Sequence, residues 1–169
     1  TLFKKEFPDK VFIERIGNLM ALGLCEQEDF TPNVNFMLVI VSTSGIGASL
    51  LHHGACMHGD NSMIGEIGHS IFNSDIVCSC GHKGCLEALV KARIMENSGK
   101  LDDETMTCLA MSISNAINLI DVSKIILTGD LVTSLDIKNR DRFINMVVSR
   151  VFSSEERKLD IRIIEHSNH

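Results

Sequence analysis

Three cysteines and a histidine crowd into one short stretch of this chain: His69, followed by Cys78-Ser79-Cys80-Gly81-His82-Lys83-Gly84-Cys85. Thiolate sulfur and imidazole nitrogen together suit a tetrahedral zinc ion, with Zn–S near ~2.3 Å and Zn–N near ~2.0 Å. Gly81 and Gly84 let the backbone turn tightly enough for Cys80 and Cys85 to converge on one ion. The competing reading is a disulfide with a spare thiol. Cys78 and Cys80 suit it poorly, because a two-residue step leaves little room for relaxed disulfide geometry. His69, Cys78, Cys80 and Cys85 fill four coordination positions, so the expected site is closed and structural, a zinc-bound loop over residues 69–87.

A loop of this kind needs a folded domain to hold it. The 169 residues suffice for one, and 44% apolar content supports a real core. With no Trp or Tyr, packing must rely on aliphatics, Phe and Met. A net charge of −6 argues against a surface that grips a phosphate backbone. No apolar run is long enough to cross a membrane and no signal-peptide pattern is present, so a cytoplasmic protein is expected. Cysteines gathered in a metal-like cluster suit a reducing compartment. Cys25, Cys56 and Cys108 lie in apolar surroundings and read as small buried hydrophobes. The chain opens at Thr1 rather than Met, and a fragment of a longer protein is expected.

Along the chain, Val11-Phe12-Ile13 predicts a short strand, and Ile16 to about Glu28 a helix. A break at Thr31-Pro32-Asn33 comes next. Asn35 to Ser42 is a continuous apolar run of the length expected for a strand buried on both faces. Ile46–Leu51 and Ala55–Met57 predict a hairpin about His53-Gly54, and Glu66–Phe72 a further strand leading into the metal loop. Leu86 to about Glu96 predicts a helix ended by Asn97-Ser98-Gly99. Asp102 to Ile120 is the best helix, with an apolar stripe of Leu109, Ile113, Ala116, Ile117 and Ile120. Asp102, Asp103 and Glu104 read as a feature of its positive N-terminal end and nothing more. Lys124–Thr128 predicts a buried strand, Arg140 to about Glu155 an amphipathic helix, and Ile161–Ile164 a last strand. The fold class is α/β, with a mixed sheet flanked by helices. No linker divides the chain, so a single lobe over 1–169 is expected. His52, His53 and His58 crowd the hairpin and read as solvated turn histidines rather than a second metal site.

Gly65-Glu66-Ile67-Gly68-His69, followed by Cys78-Ser79-Cys80-Gly81-His82-Lys83-Gly84-Cys85-Leu86-Glu87, resembles the signature of the ROK family, the repressors, open reading frames and kinases of bacterial sugar metabolism. The resemblance runs from about Val11 to about Ile164. It implies an actin-like, ribonuclease-H-like ATPase lobe, and it implies that Glu66, His69 and Glu87 face sugar hydroxyls. Ionised carboxylates accept from vicinal hydroxyls, and such charge-assisted bonds are the stronger kind. His69 would hold zinc with one ring nitrogen and aim the other at the sugar.

Other family positions differ. The kinases carry an Asp-x-Gly-Gly-Thr segment for phosphate and metal, and no counterpart stands in this sequence. Where they show Glu-Asn-Asp-x-Asn, this chain has Glu14-Arg15-Ile16-Gly17-Asn18, with Ala21-Leu22-Gly23 downstream fixing the register. The kinase Asp at that place is the general base. Ile16 has no group to accept a proton, and losing a general base removes a ~10²–10⁴-fold factor. Ser42-Thr43-Ser44-Gly45-Ile46-Gly47 matches the family's second glycine loop, but reads here as a sharp turn between strands rather than a phosphate cradle. Thr128-Gly129-Asp130 keeps one glycine where kinases have three.

The resemblance therefore implies a non-catalytic sugar-sensing and dimerisation lobe of a ROK-type transcriptional regulator, not an enzyme. Its expected partners are a small sugar as effector and a second copy of itself. It would meet DNA only through a domain absent from this chain. The alternatives are a truncated or divergent sugar kinase of the glucokinase kind, and a zinc-stabilised protein-docking module without ligand.

Overall fold

The computed structural model describes residues 14–26 and 34–165. The expected strand at Val11–Ile13 and the break at Thr31–Asn33 lie outside them. Helix α1 spans Ile16–Cys25 and precedes a hairpin of β1 (Phe36–Ser42) and β2 (Gly45–His52), with a short return strand β3 (Ala55–Cys56). Helices α2 (Leu86–Glu96) and α3 (Asp103–Ile120) lead to β4 (Lys124–Thr128). The short α4 (Asp130–Thr133), then α5 (Ile137–Val148) and the short α6 (Ser154–Arg157), lead to β5 (Asp160–Ile163). The sheet order is β3-β2-β1-β4-β5. The hairpin is antiparallel, while β4 runs parallel to both β1 and β5, which makes the sheet mixed as expected.

The continuous apolar run of β1 is explained by cover on both faces. Met37, Val39 and Val41 point into the larger core, together with Ile125 and Leu127 of β4. Against them pack Leu86, Val90 and Ile94 of α2, Leu109, Ile113 and Ile117 of α3, and Phe143 and Val147 of α5. The alternate residues Phe36 and Leu38 join Leu51, Ile126 and Ala21 of α1 on the other face. Strand periodicity thus splits one apolar run between two layers.

Helix α3 begins with a capping box. The Thr105 N–H donates to Asp102 Oδ1 at 2.8 Å, and the Asp102 N–H donates to Thr105 Oγ1 at 2.9 Å. Such caps contribute about 1 kcal/mol. The neighbouring acids do more than the sequence suggests. Asp103 accepts two bonds from the Arg142 guanidinium, at 2.6 and 2.8 Å, tying α3 to α5, and Glu104 pairs with Arg93 of α2. Of the predicted stripe, Ile120 drifts off the core and is 37% exposed. The helix predicted over Arg140–Glu155 begins and ends earlier. Asp136 caps it by accepting the Asn139 N–H at 2.8 Å, and Ser153, at φ 51°, separates it from α6. Among the described residues, no helix is long and apolar enough to cross a membrane.

Candidate metal centre and adjoining pocket

Strand β3 pairs with β2 only at Leu51 and His52. The remaining outer edge of β2 is taken by the segment around Gly65, whose carbonyl accepts the Ala48 N–H at 2.7 Å. The approach is too close for side chains: a Cβ on Gly65 would lie 1.9 Å from the Ala48 oxygen, and one on Gly68 2.3 Å from the Ile46 oxygen. Gly65 also sits at φ +87°, a conformation open to glycine. The chain then coils as a 3-10 turn over Ile67–His69. The strand predicted over Glu66–Phe72 is thus reduced to a single bridge, Ile71 opposite Cys85. The two glycines bring the backbone too near β2 for a regular strand to alternate side chains there.

Beyond the turn, Ser70 and Phe72 pair with Leu86 and Gly84 through backbone bonds of 2.9 and 2.8 Å. In the tight turn after them, the Cys78 N–H donates to the His82 oxygen at 2.8 Å and the Gly81 N–H to the Cys78 oxygen at 2.9 Å. These bonds gather His69, Cys78, Cys80 and Cys85 so that their ligand atoms all lie within 4.8 Å of one another. Cys80 Sγ is 3.5 Å from Cys85 Sγ, and Cys78 Sγ is 3.8 Å from His69 Nδ1. Two donors on one tetrahedral zinc ion would stand about 3.5–3.8 Å apart, so the donor set fits. A disulfide needs sulfurs near ~2.05 Å, and every cysteine is free. The Cys80 backbone N–H lowers the Cys78 thiol to about 7, while burial pushes Cys85 up to about 12. Cys25, Cys56 and Cys108, read as buried, are each only half-buried.

The same segment forms one wall of a cavity of about 260 Å³, lined by Arg15, Ile16, Gly45, Glu66 and Glu87 among others. Glu66 Oε1 accepts from Arg15 Nη2 at 2.5 Å, and its other oxygen lies 3.8 Å from His69 Nε2. Arg15 Nη1 also donates to the Ile64 oxygen at 2.7 Å. Glu87, in the first turn of α2, accepts from Lys91 Nζ at 2.7 Å and from the Ile46 N–H at 2.9 Å. Burial works against its charge, but those two donors outweigh it and hold Glu87 below the usual carboxylate value. Ile16 is 75% exposed at the cavity. His69 is not among the lining residues; its Nε2 lies beside Glu66, and its charge also acts on Glu87.

At the turn joining β1 to β2, the Thr43 N–H donates to Asp130 Oδ1 at 2.9 Å, and the Thr43 hydroxyl to Asp130 Oδ2 at 2.7 Å. Burial opposes the charge of Asp130, but the Thr43 donors keep its carboxyl below the ordinary value. Sequence reasoning missed this contact, the Arg15–Glu66 pair and the Glu87–Lys91 pair. Only the last left a signal, the i,i+4 spacing of opposite charges on a helix. His58 lies 3.7 Å from Glu14, and the rings of His52 and His53 meet edge to face at 4.1 Å. Among the described residues they join no three-ligand group.

A mixed sheet with helices on both faces thus carries the metal-ligand cluster and the cavity on its hairpin side. The profile of the ROK family matches residues 1–107, and the chain belongs to the ROK family. It is 34% identical over 84 residues to a glucokinase of Halalkalibacterium halodurans, covering 48% of this chain and 25% of that enzyme. It is 30% identical over 129 residues to an N-acetylmannosamine kinase of Haemophilus influenzae, covering 66% of this chain and 40% of the relative. The chain thus spans well under half the length of the curated relatives it matches. Among solved structures, the ROK hexokinase of Thermus thermophilus superposes with a TM-score of 0.67 at 16% identity, over 96% of this chain and 62% of that one. A ROK family transcriptional regulator, a homolog of the E. coli MLC protein, does so with a TM-score of 0.64 at 19% identity, over 95% of this chain and 49% of that one.

Proposed function

We propose that this chain is one lobe, over residues 1–169, of a ROK-type transcriptional regulator, and that it senses a small sugar without transforming it. The observation that carries this reading is Ile16, exposed at the cavity in the place where a kinase needs a proton acceptor. Asp130 supports it. Its carboxylate already occupies the N–H and hydroxyl of Thr43, in the turn where a phosphate cradle would need free donors, and a phosphate there would meet like charge.

In this reading Glu66 and Glu87 accept sugar hydroxyls, and zinc on His69, Cys78, Cys80 and Cys85 fixes the loop that carries them. With Nδ1 of His69 on the metal, Nε2 keeps its proton and turns toward Glu66. A sugar that approaches Glu66 must share it with Arg15 or displace that guanidinium. The pair is partly exposed and worth at most about 1 kcal/mol, within reach of a few sugar hydrogen bonds.

The test is a thermal-shift screen with glucose, N-acetylglucosamine and N-acetylmannosamine, beside an ATP-coupled phosphorylation assay. A sugar that raises the melting temperature without turnover fits the sensor. Turnover abolished by Glu66→Gln establishes instead the kinase reading, which the curated relatives favour. Glu87→Gln should weaken a bound sugar with zinc retained. Cys80→Ser should weaken it about 10–100-fold, as loss of metal support does. Undiminished binding by Cys80→Ser would reduce the loop to a staple.

A further inference from the structure

We propose that His82 is a supporting member of the metal centre, its ring N–H bonding the Cys80 sulfur and shielding the ligand that solvent reaches most easily. The inference rests on the zinc reading of the four-residue cluster. Cys78 and Cys85 are buried and His69 half-buried, whereas Cys80 is exposed. His82 Nδ1 stands 3.5 Å from Cys80 Sγ. His82 is outside the group of four whose ligand atoms all lie within 4.8 Å of one another, which places it beside the ligands rather than among them.

The turn holds it there. The His82 carbonyl accepts the Cys78 N–H at 2.8 Å, and the Gly81 N–H returns to the Cys78 oxygen at 2.9 Å, so ring and sulfur face each other across one closed loop. Chemistry settles the direction of the contact. A metal-bound thiolate has lone pairs and no proton, so Nδ1 must carry the hydrogen and donate. Three thiolates and a neutral imidazole around a dication leave one excess negative charge. Most of its exposure to electrophiles falls on Cys80. A hydrogen bond to an ionised acceptor draws on the lone pair that would otherwise attack. His82 should therefore slow alkylation of this sulfur and release of the metal, without itself binding the ion.

The experiment uses the zinc-loaded chain, iodoacetamide and peptide mass mapping. The Cys80 sulfur displaces iodide, forming a carbon–sulfur bond as the carbon–iodine bond breaks. His82→Ala should raise the rate at Cys80 about 10-fold, with zinc transfer to a chelator accelerated about 10-fold or more, as expected when support for a ligand is lost. His82→Asn, whose amide can still donate, should stay near the parent, which separates loss of the donor from damage to the exposed turn. Equal rates in the parent and His82→Ala overturn the proposal while zinc binding stands. A cobalt-loaded parent whose charge-transfer bands report two thiolates and two imidazoles also overturns it, because His82 would then be a ligand. A parent that takes up no metal overturns both the His82 proposal and the zinc reading.

Discussion

Gly65 and Gly129 solve the same steric problem with different consequences. Each lies at positive φ and presses its backbone onto a strand. A Cβ would fall 1.9 Å from the Ala48 oxygen in one case and 2.4 Å from the Val41 oxygen in the other. The residue after each glycine takes a different course. Glu66 lines one cavity and pairs with Arg15, while Asp130, at the edge of another, binds the N–H and hydroxyl of Thr43. Close backbone approach marks the shared architecture of the two regions, and the next side chain sets the partner: a guanidinium in one, a turn hydroxyl and N–H in the other.

The sharpest way to break this contrast is to disrupt the candidate zinc site on one side of it. Cys85→Ser should lose about one zinc per chain and several kcal/mol of stability, since structural zinc carries folding free energy. For a domain of this size that is roughly a 10 °C fall in melting temperature, read by metal analysis and calorimetry. An unchanged melting temperature would leave the loop as an ornament on a lobe stable without it. Next come the glycines. Gly65→Ala and Gly129→Ala should each cost about 3 kcal/mol or more, because strained dihedrals add to overlap with a carbonyl. Gly81→Ala has φ +92° but nothing within 4 Å, and should cost only about 1–2 kcal/mol when all three variants are compared by urea titration. Equal costs at all three positions would show that conformation, and not close approach, sets the requirement.

Asp130→Asn tests the other region with a smaller effect, about 1 kcal/mol at neutral pH. The folded carboxyl titrates below its unfolded value, so its contribution is present above that value and lost as pH falls through the folded one. The difference between parent and variant should therefore shrink once the pH drops below about 4. A difference that stays constant down to about pH 2 would show that the carboxylate bond to Thr43 contributes nothing.

Much of this is legible in the chain because it depends on local pattern. The β1 run, the capped α3 and the ligand spacing each carry their own signal, as periodicity, a side-chain cap or donor arithmetic. Glu66–Phe72 reads as a strand because its residues suit one locally. What overrides them is contact with β2, well upstream in the chain, and no local pattern reports it. Arg15–Glu66 and Thr43–Asp130 are illegible for the same reason, with partners 51 and 87 positions apart. Asp136 is a local signal passed over: an acid three residues before Asn139 is a recognisable helix start.

The way β2 is edged has one more consequence. Strand β3 and Met57 cover its far end, and Gly65 pairs with Ala48 in a segment whose continuation carries the four candidate metal ligands. An uncovered strand edge is a template for pairing between molecules. Stripping the metal would loosen the cover before it melted the sheet, so chelation should show itself first as self-association, a rise in scattered light while the helical circular dichroism still holds. The metal loop would then act as a guard of solubility as well as a brace.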